Sequence, residues 1–428
     1  MGKAAAVQVR LSAEDEAKLA GDRGPGVAMA MRLVVALARV SQATELIDIE
    51  SAHIDGCLYH GQAGLDFIQK LVALGAKVAV PTTLNVGSLD LLHPGLVRMD
   101  RRESAAARAL MDAYVAIGAR PTWTCAPYQE AARPQGGTDI AWAESNAIVF
   151  ANSVLGARTA RYGDFVDVCA AVTGRVPLAE LHLAQNRIPT LELDCSGIPE
   201  RVLDNDAAWA ALGFVVGREV GEQVAILTGI GAEVVDEDRL KALGATAASS
   251  GGVGLFHVAG VTPEAVQGGQ AWLEAGLTRI EVTPELLRAA RDELTTAAVG
   301  DRLDVVALGT PHFSLAEFAK LAEVLADQVP FDPSCAVWIS TSRHVLAQAR
   351  EQGYAQQCEV LGARLVVDTC TYLVPILADN VRTAMTTSGK WAWYAPANMG
   401  INVVLGTLAE CIASARAGRV IRDESSWR

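Results

Sequence analysis

An α/β fold, with mainly parallel sheets flanked by helices, is the class this sequence predicts. Three observations predict it. Predicted strands and helices alternate along most of the chain. Polar residues collect just past the predicted strand ends, where open α/β sheets bind their ligands. Hydrophobic residues fill 51% of the 428 positions and charged residues 20%, which suits two or three packing units with large cores.

In chain order, Ser12-Ala13-Glu14-Asp15 opens a capped helix that ends near Gly21. Gly24-Pro25-Gly26 interrupts the chain, and helical spacing resumes over Met29 to Val40. Glu45 to Ile49 is a predicted strand, and Ser51 to His60 the loop after it. A helix over Gly61 to Leu74 leads to a strand over Lys77 to Val80 and a polar loop over Pro81 to Ser88. Glu103 to Ile117 is helical. Small and apolar spacing predicts buried helices over Asp139 to Leu155 and Asp164 to Val172. The irregular stretch Arg187 to Arg201, with Pro189 and Pro199, joins two lobes of about 1–200 and 201–428. In the second lobe, strands are predicted at Val224–Leu227, Val253–Val258, Arg279–Val282, Val305–Leu308, Ala336–Ile339 and Arg364–Val367. Helices are predicted at Asp236–Leu243, Pro284–Thr296, Leu315–Asp327, Ser342–Glu351 and Thr407–Ala415, the second with proline in its first turn.

The net charge of −13 argues against a nucleic-acid or anionic-membrane partner. No apolar run reaches transmembrane length. Met1 to Ala6 lacks a secretory core, and Ala6 stands where a myristoylation signal needs Ser or Thr. The eight cysteines are scattered without a C-x-x-C pair, as expected of reduced thiols in a cytoplasmic protein.

The stretch Thr122 to Arg161 brings a thiol, carboxylates, amides and guanidiniums together among small residues, which suits a pocket for a small anion. Loops beginning at Ser51, Thr82, Thr310, Thr341 and Thr369 follow predicted strands. Hydroxyls there commonly cap helices, which accounts for Ser314 and Ser342 but not for His312, Arg343, Cys370 or Lys390. Cys57, Cys125 and Cys370 all fall on loops. Three separated thiolates on facing loops suit an iron–sulfur cluster or a single iron with an open position; the alternative for each is a small buried hydrophobe. Cys335 is a fourth candidate. Lys390 and Arg343 are natural carboxylate clamps. His312 is either a satisfied structural histidine or catalytic, and Trp391 and Trp393 suit a core or interface. Ser249 to Gly254 is glycine-rich but lacks a P-loop ending, so a tight loop beside a ligand is the better reading.

Several segments together resemble the aconitase X family: Ser51 to Cys57, Ala79 to Asn85, Thr122 to Tyr128, Ala151 to Thr159, Gly309 to Ser314, Thr341-Ser342-Arg343, Asp368-Thr369-Cys370 and Ser388-Gly389-Lys390. The resemblance covers residues 9–420. It implies an aconitase-like, multi-lobed fold lacking the small swivel domain, which a separate small subunit would supply. It also implies a metal-dependent hydro-lyase. Bacterial members dehydrate cis-3-hydroxy-L-proline to Δ1-pyrroline-2-carboxylate, and archaeal relatives act on mevalonate 5-phosphate. Cys57, together with Thr310 where the archaeal type is expected to carry cysteine, favours the bacterial type.

The ligand set carried over is Cys57, Cys125 and Cys370, holding a 2Fe–2S cluster, with mononuclear iron or a 4Fe–4S cluster as alternatives. Ser51, His312 and Lys390 are expected at the reacting centre, and Thr82, Asn152, Arg158, Ser250, Arg343 and Ser388 around the substrate. By analogy with aconitase relatives, the base that takes the C2 proton belongs to the swivel subunit. The rival readings are a mevalonate 5-phosphate dehydratase, a non-catalytic iron-binding or regulatory subunit, and a metal-free α/β enzyme whose cysteines only pack.

Overall fold

The computed structural model describes residues 8–427; the readings made on Met1 to Ala6 lie outside the described residues. Three parallel sheets follow one another along the chain. In the first unit, β1 (Leu46–Asp48) pairs antiparallel with a later strand, while β2 (Ala52–Ile54) lies parallel between β3 (Thr82–Leu84) and β4 (Ala141–Trp142). The partner of β1 is β5 (Arg175–Pro177). The second unit is a four-stranded parallel sheet of β6 (Leu191–Asp194), β7 (Ala225–Thr228), β8 (Phe256–Val258) and β9 (Thr278–Glu281), in the order β8-β7-β6-β9. The third contains β10 (Val305–Phe313), β11 (Ala336–Thr341), β12 (Ala363–Val366), β13 (Thr383–Thr386) and β14 (Asn402–Leu405), all parallel in the order β12-β11-β10-β13-β14. The region predicted as the second lobe carries two sheets, apart from β6, which precedes residue 201. Among the described residues, no helix is long and apolar enough to cross a membrane.

Local chemistry explains the elements the sequence made plain. Ser12 and Asp15 close a reciprocal capping box on the Ala13–Ala20 helix, and Gly21 ends it in the left-handed region at φ 99°. Four predictions need correction. The stretch Ser51 to His60 is not all loop, because β2 occupies Ala52–Ile54. The segment 77–80 is not a strand: Val78 and Ala79 donate their N–H groups to Ile117 and Ala171, so the ladder starts only at Thr82. Residues 139–155 are not one helix. They contain β4, then the Ser145–Phe150 helix capped by the Glu144 carboxylate at Ala147 N (2.7 Å), then a wider turn over Ala151–Leu155. The Ser249–Gly254 run is not one loop, because the Glu237–Gly251 helix occupies its first half. Its glycine has a packing reason. Any Cβ on Gly213 or Gly217 of the neighbouring Asp206–Val220 helix would strike that helix, so both positions must be glycine for the two to lie this close.

The first unit packs its own core around Met31, Ile54, Leu71 and Tyr114. A second core spans the other two units around Trp209, Phe214, Phe256 and Trp391, which places Trp391 in the core, as expected. A third fills the far side of the last sheet around Phe318, Leu346 and Cys411. The two-helix layer built on Asp206–Val220 and Glu237–Gly251 lies behind both the Ser145–Phe150 and the Gly389–Met399 helices, which carry residues of the site.

Candidate active site

The carboxyl ends of the first and third sheets meet, and the polar loops of both converge there. From the first sheet come Asp55 after β2, Asn85 after β3 and Glu144 after β4, with the Thr124-Cys125 loop beside them. From the third come His312 in β10, Arg343 after β11, Cys370 after β12, and Ser388 and Lys390 after β13. The bulge in β10 sets the approach: Gly309 at φ 83° lies so close to the Ser340 carbonyl that no Cβ fits, and the pairing register shifts between Leu308 and Phe313.

Lys390 Nζ bridges the two sheets, 2.5 Å from Glu144 Oε1 and 3.1 Å from Ser145 Oγ. Burial works to push the Glu144 carboxyl up, but Lys390 and the Ala147 and Asn146 amides hold it below its usual range. Burial likewise opposes the Lys390 ammonium, and Glu144, with Tyr372 and Cys125 nearby, holds it above its usual value. The pair therefore stays ionised inside the protein.

His312 donates its backbone N–H to Cys125 Sγ at 3.3 Å. Its Nε2 lies 3.4 Å from the Thr369 carbonyl, which can only accept, so that nitrogen carries the proton and Nδ1 accepts from Thr124 Oγ1 at 3.0 Å. Burial pushes the imidazole down to about 4. With both ring nitrogens engaged, His312 is a neutral positioning group. Ser388 Oγ accepts from Trp391 N at 3.0 Å, capping its helix, and donates to the Thr310 carbonyl. Thr310 Oγ1 stands 3.9 Å from Cys370 Sγ. Asp55, bonded to Asn85 Nδ2, is raised to about 7 by burial, with Glu144 and Asp167 adding to it.

The thiols divide. Cys125 and Cys370 both lie where the two sheets meet, Cys125 within the field of Cys370, and burial pushes both up, Cys370 to about 11. Cys57 turns away. Its Sγ points to the Ile54 carbonyl at 3.5 Å, and it packs in the first unit's core with Tyr114 and the Asp167 carboxylate nearby. Among the described residues, no three His, Cys, Asp or Glu side chains converge closely enough to hold a metal ion. The expected Cys57, Cys125 and Cys370 set therefore does not fit this arrangement, which assembles only the last two.

Other expected residues also fall outside the pocket. Ser51 precedes β2 and Thr82 is the first residue of β3, both at the end of the sheet opposite the site, and Thr82 Oγ1 is bonded to the Val80 carbonyl. Asn152 is fully used inside the fold, bonding Thr159, Gly254 and Arg187. Arg158 lies in a bridge with Asp139, and its Nε is buried without a partner. Ser250 Oγ donates back to the Thr246 carbonyl within its helix. The Arg343 fork is taken by Asp368, at 2.7 and 2.6 Å.

Glu144, Asp55, Thr124 and Tyr372, all in or beside the pocket, were missed as site residues. Reading 139–155 as a single helix hid Glu144, although an acid two residues past a strand, facing a lone lysine such as Lys390, is a signal a finer reading would use.

Known proteins share this architecture. Models of the first, second and third aconitase X domains match residues 8–185, 185–292 and 303–417. A Pseudomonas aeruginosa protein named cis-3-hydroxy-L-proline dehydratase is 42% identical over 98% of this chain and 72% of its own length. The phosphomevalonate dehydratase large subunit of Methanothermobacter thermautotrophicus is 36% identical over 93% of this chain and 96% of its own length. The crystal structure of Thermococcus kodakaraensis aconitase X in its holo-form superposes with a TM-score of 0.84 at 33% identity, covering 95% of this chain and all of that one. The chain belongs to the aconitase X family, and with it to the dehydratases, which are hydro-lyases.

Proposed function

We propose that this hydro-lyase dehydrates cis-3-hydroxy-L-proline to Δ1-pyrroline-2-carboxylate, together with a small swivel unit on a second chain. The observation that carries the substrate is the 42% identity to the Pseudomonas aeruginosa enzyme of that name over 98% of the chain. The phrase "large subunit" in the names of the archaeal relatives, of which this chain covers 96% in one case, supports a small partner.

Expelling water from a 3-hydroxy amino acid requires the substrate to be oriented, bulk water excluded, a proton taken from C2 and the departing hydroxyl neutralised. Lys390 is the ammonium that meets a substrate carboxylate, and Glu144 keeps it charged at depth. Ser388, Thr310 and the His312 loop shape the wall beside Cys370 and Cys125. Each candidate base for C2 among these groups is already engaged: Glu144 by Lys390, Asp55 by Asn85 Nδ2, and His312 through both ring nitrogens. This supports a base supplied by the partner. Family membership suggests a metal or iron–sulfur cofactor. Cys125 and Cys370 are the two thiols in place for such a group, but the three-thiol set does not assemble around them.

The test is turnover by the chain, alone and with its co-expressed small partner, of cis-3-hydroxy-L-proline and of mevalonate 5-phosphate, followed by NMR. Formation of the cyclic imine only with the partner present is the expected result. Dehydration of mevalonate 5-phosphate instead assigns the archaeal activity, and full turnover by the single chain places the base on this chain.

A further inference from the structure

Arg343 and Asp368 form a feature that the dehydration chemistry does not use. Asp368 stands two residues before Cys370 and holds a left-handed backbone at φ 64°. Asp and Asn visit that region more readily than other non-glycine residues, but something must fix them there. Four contacts do so. Arg343 grips the carboxylate with both arms, Nε to Oδ1 at 2.7 Å and Nη2 to Oδ2 at 2.6 Å. Leu91 N donates to Oδ2 at 3.1 Å, and Gly87 N donates to the Asp368 carbonyl at 2.7 Å.

The last two contacts come from the first unit, and the exchange is reciprocal. Asp90, its side chain wholly buried, accepts from Val367 N at 3.1 Å while its other oxygen caps Leu92 N and His93 N. Each unit thus inserts a carboxylate into the other's backbone, on either side of the turn that leads to Cys370. A similar kink precedes the other thiol: Trp123, two residues before Cys125, sits at φ 46°.

We infer that Arg343, Asp368 and Asp90 form a positioning clasp that locks the turn before Cys370 and thereby holds this thiol beside Cys125 and Thr310. Arg343 then acts on the site through Asp368 rather than by contact with substrate. The inference rests on the proposed dehydratase reading only for its kinetic readout; the thiol readout needs no substrate.

The experiment measures carbamidomethylation of Cys370 by iodoacetamide in the full chain, by peptide mass spectrometry, with the core thiol Cys358 as internal reference. Arg343→Met removes the grip at a side chain 36% exposed, so the fold survives. Cys370 labelling relative to Cys358 is expected to rise by about tenfold or more, the signature of a local opening. Arg343→Lys, keeping charge but not the fork, should fall between wild type and Met. Asp368→Asn tolerates the left-handed turn and keeps an acceptor for Leu91, so it should also label less than Asp368→Ala. On the activity side, kcat should fall across this series in the same order with KM nearly unchanged, whereas a substrate clamp would raise KM. Cys370 labelling within about twofold of wild type in Arg343→Met and Asp368→Ala, with Cys358 still protected, overturns the clasp. If Cys358 becomes reactive in either variant, that protein has opened globally, and the Arg343→Lys and Asp368→Asn ratios decide by the same criterion.

Discussion

Lys390 and Glu144 lie 246 residues apart in the chain, yet their charged atoms meet at 2.5 Å with 8% and 5% of their side chains exposed. The ion pair joins the carboxyl ends of two separate sheets. Removing one partner leaves a buried charge alone, which costs about 3–5 kcal/mol. Lys390→Met and Glu144→Gln should each destabilise the protein on that scale and abolish turnover. The double variant Lys390→Met/Glu144→Gln should lose less stability than the sum of the single changes. Urea titration of all four proteins measures the coupling, and additive losses would show that the pair contributes no mutual stabilisation.

His53 gives stability a pH dependence. It is wholly buried on β2 with Nδ1 2.8 Å from Thr83 Oγ1, and burial pushes it down to about 4. The folded protein excludes a proton that the unfolded chain binds below about 6.5, so stability from this group is complete above that pH and is lost as pH falls towards 4. The loss amounts to about 3 kcal/mol at the acid end of the window. His53→Gln should flatten the stability profile between these limits. His312, depressed to the same value, keeps part of the slope. An unchanged profile in denaturation at stepped pH would show that His53 binds its proton equally well in the native and unfolded states.

Cys57 should be separable from the other two thiols. Cys125→Ser and Cys370→Ser are expected to abolish turnover, because both sulfurs lie at the meeting of the two sheets, beside His312 N and Thr310 Oγ1. Cys57→Ser places a hydroxyl in the first core and should cost about 1–3 kcal/mol of stability while retaining activity. Activity and bound iron, measured on anaerobically purified protein, distinguish the cases. Loss of iron from Cys57→Ser would reinstate the three-cysteine set.

Gly309→Ala tests the bulge in β10. The added methyl meets the Ser340 carbonyl, and φ 83° is unfavourable for alanine. Destabilisation of about 1–3 kcal/mol is expected, with a larger proportional loss of turnover because Thr310 and His312 follow directly. Melting temperature and kcat measured together check it.

The sequence carried the logic of the site more clearly than its register. Polar residues past predicted strand ends pointed to His312 and Cys370, and an ammonium beside hydroxyls pointed to Ser388 and Lys390; all four stand at the meeting of the two sheets. Placing a strand at 77–80 rather than Thr82–Leu84 moved attention to Thr82, on the far edge, and away from Asn85. Short strands with ladders of only two or three residues leave little periodicity to read, and a slip of a few positions exchanges one end of a sheet for the other. Cys57 misled for a related reason. It sits on a loop by sequence, but the turn after β2 folds it back against Tyr114. Gly251, in the run that looked like a ligand cradle, packs against Gly217 of the neighbouring helix instead, since close backbone approach asks for the same residue in either case.

The exchange of carboxylates between the Asp90 segment and the Asp368 turn places the reaction chamber in the seam of the molecule, owned by neither half. A change of length or a proteolytic nick among residues 86–93 would leave each sheet with its own core intact while its two walls drifted out of alignment. This dehydratase can therefore be silenced without being unfolded, and a folded protein measured by spectroscopy is no assurance of a working one.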